Sequence, residues 1–384
     1  MRNRLRSRGS LLVVTLAAVL GLWRVAFPES PSAAITAPGA TAPSEARATS
    51  GDGVIRGAWY ELAFTQPTSA ASPEESPVER LLIDLVNRSQ QTLDVAIHDL
   101  DLERVTDSFV RAAGRGVRVR MVAESNVVGS SDLRTQVQVA RLKEAGIPIV
   151  TDSANHTMHH KFVVVDGRWV ETGSLNYTFS ETYRNNNHAI VIESQGLAAN
   201  FTGEFEKMFA QGRFGGAKPR GNPNPILSLA GARTETYFSP EDRAASRVIG
   251  WLGTATQRIR FLAFSFTHDG IGDAMLERAR AGVPVAGVFE AAGTRDQYSE
   301  YTRLKTAGLD VLLDANPFNL HHKVIVLDGH VTIFGSFNFS ASADRENDEN
   351  LLIVDDPGLA SAFEAEYERV RAQALRGSGQ GLLP

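Results

Sequence analysis

HHKFVVVDGRWVETGSLN, residues 159–176, and HHKVIVLDGHVTIFGSFN, residues 321–338, are two versions of one segment. Each sets out His, Lys and Asp in the same order (His159, Lys161, Asp166; His321, Lys323, Asp328), then Gly-Ser-x-Asn at 173–176 and 335–338. In both, an apolar run ends in Asp-Gly and a second extended run follows, the pattern of a β-hairpin with a two-residue turn. With Asp166 and Gly167 as that turn, Val165 faces Arg168, His159 is expected opposite Ser174, and His321 opposite Ser336. Alternation along the strands then puts His, Lys, Ser and Asn on one face at the hairpin's open end.

The likeness extends outward at a constant spacing of 162 residues: RLKEAG from Arg141 matches RLKTAG from Arg303, and the helical stretch from Leu197 matches that from Leu359. Upstream the spacing becomes 166, relating RGVRVRMVAE from Arg115 to AGVPVAGVFE from Ala281. One spacing held over about 70 residues indicates internal duplication. Each copy reads as strand, helix, strand, helix, hairpin and closing helix, an α/β pattern. Ser76, Pro77 and Leu81, Leu82, Leu85, Val86 at helical spacing signal the opening helix. The Gly/Pro-rich residues 212–230 separate repeat 1 (57–211) from repeat 2 (231–374), and 375–384 are left as a flexible tail.

At the other end, Arg2, Arg4, Arg6 and Arg8 precede an apolar run from Leu11 to Trp23, so residues 1–34 read as a signal peptide or anchor and the protein as exported. Residues 35–56, rich in Ala, Pro, Ser and Thr, read as a disordered tether. The chain has 384 residues and no cysteine, which excludes disulfides, Cys-ligated metals and thiol nucleophiles. Its net charge is −5; the first 34 residues carry +4, leaving −9 for the rest and no overall basic footprint for nucleic acid.

Imidazole, ammonium, hydroxyl and carboxamide together suit a phosphodiester: imidazole can attack phosphorus or donate a proton, while the others stabilise charge on the non-bridging oxygens. Two copies around a pseudo-twofold axis supply an imidazole on each side of one phosphorus, so a monomer suffices for a complete site. The cluster His156, His159, His160 resembles a metal site only superficially, because alternation points His160 away from His159. His160 and His322 are expected to pack behind the site. Phe64, Trp169, Tyr177, Phe264, Phe266, Phe318 and Phe337 are read as core in preference to a lipid cleft, and Arg115, Arg118 and Arg120 as a solvated face.

These residues resemble the phospholipase D superfamily, whose paired HKD motif has this spacing, across about residues 57–372. The resemblance implies a bilobal duplicated α-β-α sandwich with two pseudo-twofold-related repeats, and a two-step reaction through a phosphohistidine without an obligatory metal or other cofactor. Carried onto this sequence, His159 is the nucleophile and His321 the general acid. Lys161, Lys323, Asn176 and Asn338 hold the phosphate with Ser174 and Ser336, and Asp166 and Asp328 are structural. Many members place a carboxylate 11 residues after the motif Asn to orient the His of the same copy. Glu349 fits that position, whereas the first copy has Asn187, which makes His321 a competing nucleophile. Superfamily substrates imply a phospholipid or membrane surface as partner, with nucleic acid as the alternative; transfer and a non-catalytic scaffold rank lower.

Overall fold

The computed structural model describes residues 51–378 apart from 71–72, 154–156 and 296. The expected signal or anchor segment, most of the tether, His156 and the last six residues lie outside the described residues. The first repeat opens with β1 (Val54–Arg56), β2 (Tyr60–Phe64), α1 (Pro77–Arg88), β3 (Thr92–Ile97) and α2 (Glu103–Gly114). It continues through β4 (Arg118–Ala123), α3 (Ser125–Val128), α4 (Leu133–Glu144) and β5 (Ile149–Thr151) to the motif hairpin, β6 (Lys161–Val165) and β7 (Trp169–Gly173). α5 (Phe179–Tyr183), β8 (His188–Glu193) and α6 (Gln195–Phe209) complete it. The second repeat follows suit: β9 (Ile226–Leu229), β10 (Ala232–Ser239), α7 (Ala244–Leu252), β11 (Ile259–Ala263), α8 (Asp269–Arg280), β12 (Val285–Phe289) and α9 (Glu300–Thr306). It ends with β13 (Asp310–Leu313), β14 (Lys323–Leu327), β15 (Val331–Gly335), α10 (Ala341–Arg345), β16 (Glu349–Asp355) and α11 (Pro357–Gly377).

Two eight-stranded mixed sheets result, in the orders β1-β2-β8-β7-β6-β3-β4-β5 and β13-β12-β11-β14-β15-β16-β10-β9. β6 and β14 are central in their sheets and buried throughout, which is why FVVV and VIVL are continuous apolar runs instead of alternating ones. α1 starts at Pro77 after Ser76 as expected, although the Ser76 hydroxyl makes no capping bond. The tether reading runs three residues too far, because β1 pairs with β2 and buries Val54; the linker reading of 212–230 takes in β9, which pairs with β10, and the tail reading of 375–384 takes in the last turn of α11. Strands β8 and β16 escaped the sequence reading, and they matter because each begins at the residues that meet the motif histidines.

The hairpins differ from expectation by one residue. Asp166 and Gly167 both adopt positive φ and the Arg168 N–H closes the turn on Val165 O, but the ladder pairs Val165 with Trp169. The Arg168 carbonyl is diverted to the Ser194 N–H at the start of α6, so Arg168 is an extra turn residue. In the second copy Leu327 pairs with Val331, and His330 O accepts from Asp356 N–H. Neither histidine therefore lies directly opposite its serine. Asp166 Oδ1 and Oδ2 accept the backbone N–H groups of Gln90, Gln91 and Thr92 at 2.8–2.9 Å. Asp328 does the same for Thr256, Gln257 and Arg258. Both aspartates thus tie the hairpin tip to the start of the neighbouring strand.

The two repeats share one core. Phe162, Val164, Ile190, Phe201 and Phe205 from the first pack in one cluster with Phe238, Val324, Phe334, Leu352 and Phe363 from the second. The segment between repeats joins it through Phe214 and Leu229 and through a buried cation: Lys218 lies against Glu204, Glu241 and Asp348. Those carboxylates outweigh the cost of burial and hold the ammonium well above its ordinary value. Removing one member of such a buried group costs about 3–5 kcal/mol, because the remaining charges lose their partner. Arg120, expected on a solvated face, is instead largely buried, paired with Asp94 and Glu206 over the rings of Phe205 and Phe209.

Within the first repeat, Glu171 on β7 is fully buried with the Tyr177 hydroxyl at 2.6 Å, and burial pushes its carboxyl up to about 8. A raised folded-state value means that its stabilising contribution is complete below the ordinary carboxylate range and is lost as pH rises through about 8. Glu171→Gln is expected to gain stability relative to the parent as pH goes from 5 to 9, read as a growing difference in Tm; a constant difference would show that Glu171 is ionised throughout.

Candidate active site

Each motif histidine is fixed by the opposite repeat. His159 N–H donates to Asp348 O, and His321 N–H to Asn186 O, both at 3.0 Å. Met158 pairs with Asp348 and Leu320 with Asn186 as parallel bridges across the interface. The side chains following those carbonyls are Glu349 and Asn187, and they meet the rings. His159 Nδ1 lies 2.8 Å from Glu349 Oε2, and His321 Nδ1 lies 3.0 Å from Asn187 Oδ1. The expectation that the residue 11 positions after the motif Asn serves its own copy is therefore corrected: the service is crossed. It follows that His159 is the histidine backed by Glu349, and the case for His321 as nucleophile on that ground is removed.

Asn187 does not act alone. Glu181, on α5, places Oε2 3.0 Å from His321 Nδ1 and accepts from Asn187 Nδ2 at 2.6 Å. Sequence reading missed this residue, since its counterpart in the second copy is Ala343 and no shared motif marks it. The one available signal was the departure itself: an amide where many members have a carboxylate, with a Glu six residues earlier.

Both lysines lie within electrostatic reach of both histidines. Lys161 Nζ donates to His159 O and Lys323 Nζ to His321 O, each at 2.8 Å, and both side chains are 1% exposed. Burial pushes Lys161 down to about 8; burial together with the nearby Lys161 charge pushes Lys323 down to about 7. Desolvation and the two lysines also hold His159 well below its ordinary value. His321, equally desolvated but facing Glu181, is held at about 4. Burial raises Glu349 to about 7 against the pull of the lysines.

The remaining motif groups take less exposed posts. Ser174 Oγ donates to Asn187 Oδ1 at 2.8 Å and is fully buried, so it supports the acceptor under His321 and does not face the cleft. Ser336 Oγ accepts the Asn350 N–H and lies beside Glu349, favouring its charged form. Asn176 Nδ2 reaches Glu181 Oε1 at 3.4 Å, while the Asn176 and Asn338 Oδ1 atoms are buried without a protein partner. His160 and His322 point away, as alternation requires, to Glu204 and Glu366. His98 stands edge-on to His159 and Phe264 edge-on to His321, with centroids 4.7 and 4.5 Å apart. Phe264 is thus part of the site wall, whereas Tyr177, Phe266 and Phe337 are core. Among the described residues no group of three or more His, Asp or Glu side chains is arranged to hold a metal ion.

Two partly neutral lysines facing one space favour an anion, whose charge would restore both to the ammonium form. Binding of inorganic phosphate or tungstate at pH 8 is expected to take up protons, read by calorimetry in buffers of different ionisation enthalpy. Binding without uptake would show that both lysines are already charged.

A family model described as cardiolipin synthase, PLD-like domain, matches residues 82–209 and 248–371. A mitochondrial cardiolipin hydrolase of Chlamydomonas reinhardtii is 30% identical over 36% of this chain, which spans 62% of that protein. A phospholipase D of Rickettsia felis is 28% identical over 47% of this chain and 94% of its own length. The phosphatidylserine synthase structure from Haemophilus influenzae, 12% identical, covers 77% of this chain and 83% of its own with a TM-score of 0.59, which shows the fold. With both repeats matched and both motifs meeting at one site, the chain belongs to the PLD-like domain family.

Proposed function

We propose that the protein is a phosphodiesterase of phospholipase D type that removes the head group of a phospholipid and leaves phosphatidic acid. The observation that carries this reading is the pair of imidazoles whose Nδ1 atoms are both engaged from behind, leaving two Nε2 atoms for chemistry beside Lys161 and Lys323. His159 Nε2 attacks phosphorus, the bond from phosphorus to the head-group oxygen breaks, and His321 Nε2–H protonates the leaving alkoxide. Water then attacks the phosphohistidine, gives its proton to His321, and the P–N bond breaks to return His159. The order of roles fits the electrostatics, since His321 is the easier of the two to protonate. Lys161, Lys323, Asn176 and Asn338 neutralise the non-bridging oxygens.

The names of the similar proteins support a phospholipid as substrate, cardiolipin among them. The basic and apolar N-terminal run supports an exported or membrane-anchored enzyme that meets lipid at a surface.

Head-group release from mixed phosphatidylcholine and cardiolipin vesicles in EDTA tests the reading. The wild type is expected to release head group, and His159→Asn and His321→Asn to lose at least about 10³-fold while keeping the parent Tm. Cleavage of single-stranded DNA without any lipid turnover would overturn the substrate; restoration by zinc after EDTA would overturn the metal-independent chemistry.

A further inference from the structure

The two histidines are held by different devices. Glu349 reaches His159 from the first residue of β16, the position that Asn187 occupies just before β8. On the His321 side the carboxylate comes from α5, six residues earlier, where the second repeat has Ala343. We infer that Glu181 is a relocated carboxylate that fixes the tautomer of His321 and stabilises its protonated form, making His321 the acid and base of the pair. The inference rests on the proposed two-histidine reaction and adds a residue that the motif does not contain.

The contacts around Glu181 leave it little other use. Its Oε2 faces His321 Nδ1 at 3.0 Å, Asn187 Nδ2 donates to it at 2.6 Å, and Asn176 Nδ2 lies 3.4 Å from Oε1. The side chain is 12% exposed, so its charge acts through a poorly solvated medium where a single ion pair is strong. Asn185 adds a further side-chain hydrogen bond, and among the described residues no Lys or Arg forms an ion pair with it, which makes the imidazolium of His321 its direct counter-ion. Asn187 fits as a splint: its amide donates to Glu181 and its carbonyl accepts from the same Nδ1, so the two side chains fix each other around one N–H. An amide alone could select the tautomer but would stabilise an imidazolium less than a carboxylate. His159, by contrast, has to be a neutral nucleophile. Its partner Glu349 is buried deeply enough to be raised toward neutrality, while hydrogen bonds and His321 hold Glu181 ionised in spite of burial.

The full-length protein with Glu181→Ala, and with Glu181→Ala/Asn187→Glu, which rebuilds in the first repeat the pattern of the second, tests the assignment. One readout is independent of substrate: imidazole NMR should show the His321 Nδ1–H in a low-field position in the wild type, lost in the single variant and regained in the double. A second separates acid catalysis from general damage. With an alkoxide leaving group, taken from whichever of phosphatidylcholine, cardiolipin or single-stranded DNA the wild type cleaves, Glu181→Ala should lose about 10²–10³-fold. First-turnover release of p-nitrophenolate from bis(p-nitrophenyl) phosphate, which needs little protonation, should fall less than about tenfold. An unchanged His321 resonance, equal losses on both leaving groups, or a folded double variant no better than the single would overturn the assignment. Lipid inactivity with the NMR pattern intact would instead overturn the phospholipid reading alone.

Discussion

The backbone bond from each motif histidine to a carbonyl of the opposite repeat is the constraint on which the site depends. His159 N–H to Asp348 O and His321 N–H to Asn186 O set the depth at which one sheet meets the other. Because a side chain's direction is tied to its own backbone, each bond also brings the next residue, Glu349 or Asn187, against the ring. Either repeat alone would present an imidazole with nothing behind it. On one side the support of this register is buried, where Lys218 and the Gly215 N–H hold Asp348; on the other the solvent-exposed Arg369 reaches Asn186 from its pairing with Glu366. The segment between repeats, which reads by composition as a passive connector, is in fact one of those supports.

Electrostatics then makes the site wait for an anion. Lys161 and Lys323 sit on the central strands of the two sheets, deprived of water and repelling each other, with their ammonium groups bonded, among the described residues, to the carbonyls of the histidines. Such ammonium groups are costly while the site holds no counter-charge, and a bound phosphate diester, one negative charge spread over two oxygens, relieves both at once. The same fields keep the imidazoles neutral in the resting protein, which suits a nucleophile but not an acid. Glu181 answers that conflict on one side only.

The duplication, the fold and the motif residues that meet at the site were legible because they are written as repeated residue types: a buried strand running into Asp-Gly, then Gly-Ser-x-Asn. What the pattern could not contain was anything decided by contact between the copies. The one-residue shift of the hairpins follows from the Arg168 carbonyl being claimed by Ser194, 26 residues away. The crossing of Glu349 to His159 spans 190 residues. β8 and β16 were overlooked because they lie between a loop motif and a strong helix, yet the acceptors stand at their starts, Asn187 just before β8 and Glu349 as the first residue of β16. Arg120 looked solvated along its strand because Glu206 comes from a distant helix.

A covalent duplication also allows what an assembly of identical chains does not. When a site forms across the twofold axis of a homodimer, every residue on one side recurs on the other, and the two histidines must share one environment. Here the halves have diverged where asymmetry serves the reaction. His98 opposes Phe264 as the ring beside the motif imidazole, Glu181 opposes Ala343, and Asn187 opposes Glu349. Behind the site His188 pairs with His322, where Asn350 meets His160. Nucleophile and acid need opposite charge states at the moment of attack, and a symmetric site can supply them only by letting substrate choose. In this chain the sequence makes the choice beforehand: the carboxylate that favours an imidazolium is placed under His321, while burial raises the one placed under His159 to about 7, so that it orients Nδ1–H with a weaker pull toward the imidazolium.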